Sequence, residues 1–284
     1  MRRLIHETNS SYHRIFVQED DAVRTLRFER NPQSSMLIDD PFETDIDYPA
    51  YFHIALALKP DAARTLVIGL GGATVVKRMW RDYQHMHVDA VELDPAVVAI
   101  AREYFALPDD DRIRVFTGDG REFLEVADTL YDLILVDAFD DDTVPPRLMT
   151  EEFLRAARDH LTPGGVVAYN FIGRVRGDLS RPFRSLHRTA RNVFAKTWSF
   201  PIRPEVFITL TEDRNIIMLA TDTTMPAEEL LARIADRVGG RVTVPGFEHF
   251  GDDLHLEPIR SGDVPYLVDD PPKRPRGRRA GYHP

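Results

Sequence analysis

Acidic residues recur where a chain of alternating strands and helices would carry them to one edge. Asp137 closes the apolar run Tyr131 to Asp137, and Asp140, Asp141 and Asp142 follow it. A carboxylate in that place can hold an amine or take a proton from one. Glu92 lies near the end of the run His87 to Leu93, about twenty residues beyond the turn Gly69-Leu70-Gly71-Gly72, where a carboxylate can accept hydrogen bonds from both hydroxyls of a ribose. Gly69 and Gly71 let the backbone turn tightly and approach a ligand. Asp119, in Thr117-Gly118-Asp119-Gly120, ends a third run, where it can accept from the exocyclic amine of adenine; taken singly, a helix cap explains it as well. Together these positions point to an adenosine-containing cosubstrate of the S-adenosylmethionine type, held by roughly residues 64 to 172, with Asp137 as the leading catalytic candidate. A dinucleotide site needs only the first strand-helix-strand unit and leaves the acids at 119 and 137 without a purpose.

The elements that must position these residues follow from pattern. Strands are expected at Thr65 to Gly69, His87 to Leu93, Arg112 to Thr117, Tyr131 to Asp137 and Val166 to Phe171. Helices are expected between them at Thr74 to Tyr83, Pro95 to Phe105, Gly120 to Val126 and Thr150 to His160, which calls for a parallel sheet with crossover helices. Asp94 before Pro95 reads mainly as a helix cap. A helix around Arg181 to Phe194 precedes Val206 to Leu210 and Asn215 to Thr221, a pair that reads as an antiparallel hairpin closing the sheet. The fold class is therefore α/β, a Rossmann-like methyltransferase fold with a mostly parallel seven-stranded sheet. Short strands at Tyr12 to Val17, Val23 to Phe28 and Ser35 to Ile38 form a small N-terminal β unit ahead of it. An acidic loop at 39–47 and an apolar helical stretch from Ala50 to Leu58 join the two. The expected division is 1–50 for the β unit, 51–240 for the catalytic domain and 241–284 for an irregular extension ending in the basic tail Lys273 to Arg279.

Composition narrows the function. The 284 residues are 43% hydrophobic and 29% charged, enough for one large core, and no stretch approaches the eighteen or so apolar residues of a bilayer span. The expected location is the cytoplasm, with no membrane partner. Cysteine is absent, which excludes disulfides, thiolate metal sites and cysteine nucleophiles, and a formal charge of -10 opposes nucleic-acid binding. No Gly-x-Ser-x-Gly marks a hydrolase elbow. Asp140 to Asp142 read as an exposed acidic loop rather than a Mg²⁺ site, and His85 with His87 lacks a third ligand, so no metal is expected. Trp80 and Tyr83, three apart on a helix, read as a packed face.

These pieces resemble the spermidine synthase family of aminopropyltransferases from about Glu7 to Thr221. The residues that carry the likeness are Ser11-Tyr12-His13-Arg14-Ile15, Gln33-Ser34, the Gly69 turn, Val91-Glu92-Leu93-Asp94-Pro95 with Tyr104-Phe105, Gly118-Asp119-Gly120, the Asp137 loop and Leu161-Thr162-Pro163-Gly164-Gly165. The resemblance implies that Gln33, Glu92, Asp119 and Gly120 contact the thioadenosine part of decarboxylated S-adenosylmethionine. It implies Asp137 beside the attacking amine, Asp140 and Tyr51 on the amine substrate, and a homodimer or higher homo-oligomer paired through the N-terminal strands. The sequence departs from the family at Gly72, where the family has an aspartate. It also departs in Tyr48 to His53, which lacks the family's tyrosine, histidine and glutamate in succession, at Asp141 in place of a proline, and at Tyr169-Asn170 in place of a glutamine-containing segment. Gly72 removes a charge that would repel the carboxylate of ordinary S-adenosylmethionine. Methyl transfer to a small acceptor, or nucleoside binding without turnover, therefore stand as alternatives to aminopropyl transfer.

Overall fold

Two sheets organise the chain, which the computed structural model describes over residues 2–29, 31–140, 143–203 and 212–269. The first is an antiparallel meander of β1 (Arg3–Asn9), β2 (Arg14–Glu19), β3 (Val23–Phe28) and β4 (Asn31–Leu37), paired in chain order. Its inner residues Ile15, Val17, Leu26 and Met36 pack against Val97, Ile100 and Phe105 from the other half of the molecule. β1 was not foreseen. Its alternation is masked by Arg3, His6 and Glu7, and charges are common on an edge strand with little to bury.

A helical run follows, made of α1 (Tyr48–Tyr51), a 3₁₀ turn at Phe52–Ile54 and α2 (Ala55–Leu58). It leads to the second sheet, formed by β5 (Arg64–Ile68), β6 (His87–Glu92), β7 (Ile113–Thr117), β8 (Tyr131–Val136), β9 (Leu161–Gly173), β10 (Lys196–Pro201) and β11 (Arg214–Thr221). Their order is β10-β11-β9-β8-β5-β6-β7, seven strands, with β11 antiparallel to both β9 and β10 and the rest parallel. The crossovers are α3 (Thr74–Asp82), α4 (Pro95–Tyr104), α5 (Gly120–Val126), α6 (Glu151–Asp159) and α7 (Arg181–Val193); α8 (Ala227–Ala235) and α9 (Arg237–Gly240) come last. Helices cover both faces, so the central strands read as continuous apolar runs. Val67, Leu133, Leu135 and Ala168 point to one core, and Leu66, Ile68, Ile134 and Val167 to the other.

The expected hairpin differs in one arm. The segment Val206 to Leu210 lies outside the described residues, and the outer partner of β11 is β10, with Phe200 opposite Ile217. The expected irregular extension contains a 3₁₀ segment, Phe247–Asp253, and packs back on the sheet: Val242, Val244, Phe247 and Leu254 are buried in the same core as Val67. The basic tail lies outside the described residues. Among the described residues, no helix is long and apolar enough to cross a membrane.

Strand order fixes where a ligand fits. The chain runs outward from β5 through β6 to β7, then returns to place β8 on the other side of β5. Connections leaving the ends of β5 and β8 therefore part in opposite directions, and the crevice between them is where open α/β sheets bind ligands.

Candidate active site

Gly69 follows β5 and Asp137 follows β8, so the two flank that crevice. The backbone holds them together: the amide of Asp137 donates to the carbonyl of Ile68 at 2.8 Å. Gly69 has φ +95°, and a Cβ there would lie 2.3 Å from the carbonyl oxygen of Asp137. Any side chain at 69 would push the Asp137 loop away. Glu92 braces the turn from β6. Its carboxylate accepts from the amide of Leu70 at 2.9 Å and from that of Asp94 at 3.0 Å. Burial raises its pKa, and these backbone amides pull the other way. Two oxygens offer about four acceptor sites, which leaves room for the hydroxyls of a ribose. Asp94 itself caps α4, accepting from the amide of Ala96 at 2.9 Å, as its place before Pro95 suggested.

Asp137 sits between two neutral donors. The Tyr48 hydroxyl donates to its Oδ2 at 3.1 Å, and Nδ2 of Asn170, on β9, donates to its Oδ1 at 3.0 Å. Asn215, on β11, donates in turn from its Nδ2 to Oδ1 of Asn170 at 2.9 Å. Burial lifts the Asp137 carboxyl to about 6 against these two hydrogen bonds. Its carboxylate lines a narrow cavity of about 50 Å³ together with Gln33, Ser34, Tyr48, Gly71 and Thr74. On the outer side of Tyr48 and Asn215 a wider cavity of about 350 Å³ opens, lined also by Asp45, Asp47 and Asp213.

The structure thus brings Gln33, Gly71 and Asp137 to one cavity and ties Glu92 to its glycine turn. Asp119 caps α5, with Oδ1 accepting from the amides of Arg121 and Glu122 at 2.9 and 3.1 Å, and its Oδ2 meets Arg147 at 2.7 Å. Gly120 is the first residue of that helix. Asp140 is exposed in a bridge with Thr143, while Asp141 and Asp142 lie outside the described residues. The expectation for Tyr51 needs correction. It is buried, its hydroxyl donates to Asp253 at 2.6 Å and its ring stacks on Phe250 at 4.0 Å, so Tyr48 is the tyrosine at Asp137. Tyr48, Asn170 and Asn215 were not named as site residues from the sequence. Tyr83 is buried with its hydroxyl 2.6 Å from Nδ1 of His53, and Arg112 covers Trp80, in keeping with the packed face expected there. Among the described residues no three His, Asp or Glu side chains gather to hold a metal ion. A separate cavity of about 550 Å³ after β9 is lined by Arg176, Arg184 and His255, but both arginines are paired, with Glu257 and Asp263.

Comparison with known proteins gives the family. The family model described as the spermine/spermidine synthase domain matches residues 49–176. The polyamine aminopropyltransferase of Vibrio vulnificus is 33% identical over 242 residues, covering 82% of this chain and 77% of that protein. Among solved structures, a probable spermidine synthase from Corynebacterium glutamicum superposes with a TM-score of 0.75 at 19% identity, over 94% of this chain and 97% of the other. A spermidine synthase in complex with the transition-state analogue AdoDATO gives a TM-score of 0.65 at 20% identity, over 90% of this chain and 85% of the other. With a relative at this identity along most of both chains, and a fold shared over nearly the whole of a solved spermidine synthase-like structure, the chain belongs to the spermidine synthase family of aminopropyltransferases.

Proposed function

We propose that this protein transfers an aminopropyl group from decarboxylated S-adenosylmethionine to an amine acceptor such as putrescine, releasing methylthioadenosine. The observation that carries this is the Asp137 carboxyl, set in the crevice between β5 and β8, held among the described residues by neutral donors only, and lifted by burial to about 6. At neutral pH it is an anion about ten times more often than not, yet basic enough to receive a proton. The acceptor nitrogen attacks the carbon beside the sulfonium, the carbon–sulfur bond breaks, and the electron pair stays on sulfur as a neutral thioether. The nitrogen must present a lone pair, so its proton passes to Asp137 and from there to solvent. Holding both substrates in line supplies much of the remaining acceleration.

Glu92 takes the ribose hydroxyls, Gln33 and the backbone at Gly69 and Gly71 enclose the thioadenosine, and Asp119 with Gly120 meets the adenine when Arg147 turns aside. Tyr48 orients Asp137 toward the acceptor, and Asp140 takes a distal ammonium at the rim. Residues 1–50 serve as an accessory β unit, 51–240 as the catalytic domain and 241–284 as its extension; the unpaired edge of β1 offers a surface for a homodimer or higher homo-oligomer in the cytoplasm. The test is mass spectrometry of the protein with a pool of amines, given decarboxylated S-adenosylmethionine in one tube and the ordinary form in another. Methylthioadenosine with an amine heavier by one aminopropyl unit is expected in the first tube alone. Asp137→Asn should reduce it about 10²- to 10⁴-fold while methylthioadenosine still binds; retained turnover refutes the role of Asp137.

A further inference from the structure

We infer that Asn215 is a positioning residue, acting through Asn170 to fix which end of that amide faces Asp137. The inference rests on Asp137 being the proton acceptor. β9 and β11 are antiparallel with Asn170 opposite Ile217 and Ile172 opposite Asn215, so the two asparagines are diagonal neighbours on one face of the sheet. Asn170 is fully buried. An amide can present either its NH₂ or its oxygen, and its partners decide which.

The chain of partners has two self-consistent settings. With Asp137 ionised, the carboxylate only accepts, so Asn170 must turn its NH₂ inward and its oxygen outward, where the NH₂ of Asn215 meets it at 2.9 Å. With Asp137 protonated, both amides can reverse, the acid donating to the Asn170 oxygen and the Asn170 NH₂ donating to the Asn215 oxygen. Asn215 can complete either setting, and in the structure it completes the one that suits the ionised acid, so a residue at 215 that can only accept would bias the pair the other way. Asn215 also lines the 350 Å³ cavity, so the far end of the pair stands at an opening. The other ionisable groups nearby are Tyr48 from α1, Asp45 and Asp47 before it, Asp140 in the Asp137 loop, and Asp213, paired with Arg174, beside Arg214 at the start of β11. The substitutions below leave all of them in place.

The experiment titrates the Asp137 carboxyl by ¹³C NMR, with Asp137→Asn to assign the signal, alongside the pH profile of methylthioadenosine release. Asn215→Asp offers only an acceptor, favours the reversed setting and should raise the carboxyl's proton affinity about threefold to tenfold, and the acidic limb of the rate should move with it. Asn215→Ala removes a partner from both settings and should move it less. In an Asn170→Ala background, Asn215→Asp should move it less than with Asn170 present, because the relay is cut and only the direct repulsion of the new charge remains. An unmoved titration in Asn215→Asp, or an equal shift with and without Asn170, overturns the inference. If the titration moves as stated but no tube yields methylthioadenosine, the positioning role stands and the aminopropyl reading fails.

Discussion

Tyr48→Phe removes one hydrogen bond and nothing else that Asp137 touches. The hydroxyl donates to Oδ2 at 3.1 Å, and that bond, with the one from Asn170, opposes the burial that raises the carboxyl to about 6. A hydrogen bond to an ionised group contributes about 1.5–3 kcal/mol, and about 1.4 kcal/mol corresponds to one pKa unit. The carboxyl should therefore titrate about one to two units higher, near 7 to 8. The sign is fixed because the phenol stabilises the charged form and its loss favours the neutral one. The assay is the initial rate of methylthioadenosine release at low amine concentration across the pH range, expressed as the ratio of variant to native protein so that the amine's own ionisation cancels. Near pH 7 the ratio should fall to between about one half and one tenth, and well above pH 8 it should climb back toward one. A ratio that is low by the same factor at every pH would refute the reasoning, since it would mean that Tyr48 contacts substrate rather than tuning Asp137.

Three further substitutions separate the site from its scaffold. Glu92→Ala should weaken methylthioadenosine binding about tenfold to a hundredfold, read by calorimetry, because the acceptor proposed for both ribose hydroxyls is lost. Tyr51→Phe should cost about 1–3 kcal/mol of stability, through the lost buried bond to Asp253, and lower the melting temperature while leaving the acidic limb of the rate where it was. Gly69→Ala places a methyl group 2.3 Å from the Asp137 carbonyl oxygen at a positive φ, so it should both lower the melting temperature and abolish transfer; a variant with native stability and rate would contradict the crevice geometry.

What the sequence disclosed and what it withheld divide along the range of the forces involved. Asp137, Glu92 and the glycine turn were legible because an acid or a glycine at the end of an apolar run marks the ligand edge of a parallel sheet, whatever else the chain does. The cap at Asp94 was equally local. Tyr48 and Tyr51 stand three apart in one helical run, and which of them meets Asp137 depends on Phe250 and Asp253, about two hundred residues further on, claiming the other. Asn170 and Asn215 become partners only once the antiparallel register of β9 and β11 is set. β10 took the edge of the sheet beside β11 at Lys196–Pro201, directly after α7, where the sequence pattern alone had favoured Val206 to Leu210. Arg147, in a 3₁₀ turn at Pro146–Leu148, meets the helix cap Asp119 in a contact that no spacing announces.

The character of the groups around Asp137 bears on why the chemistry is feasible at all. An arginine or lysine bonded to this carboxylate would hold its pKa below the ordinary value and leave it a poor proton acceptor. The partners are instead an amide and a phenol, which orient the oxygens without supplying a positive charge. Even so, an acid near 6 and a free alkylammonium near 10.4 differ by about four units, roughly 6 kcal/mol against transfer. Burial acts on both partners. The low-dielectric surroundings that lift Asp137 also disfavour the charge on an amine drawn in beside it, so the two proton affinities move toward each other as the acceptor is desolvated. Transfer from one to the other removes two opposite charges from a place that solvates neither, and it leaves a neutral nitrogen facing the sulfonium carbon. A carboxylate that is buried and held by neutral donors is suited to that sequence of events, because an interior that solvates neither charge takes the charge of an amine away as it is drawn in.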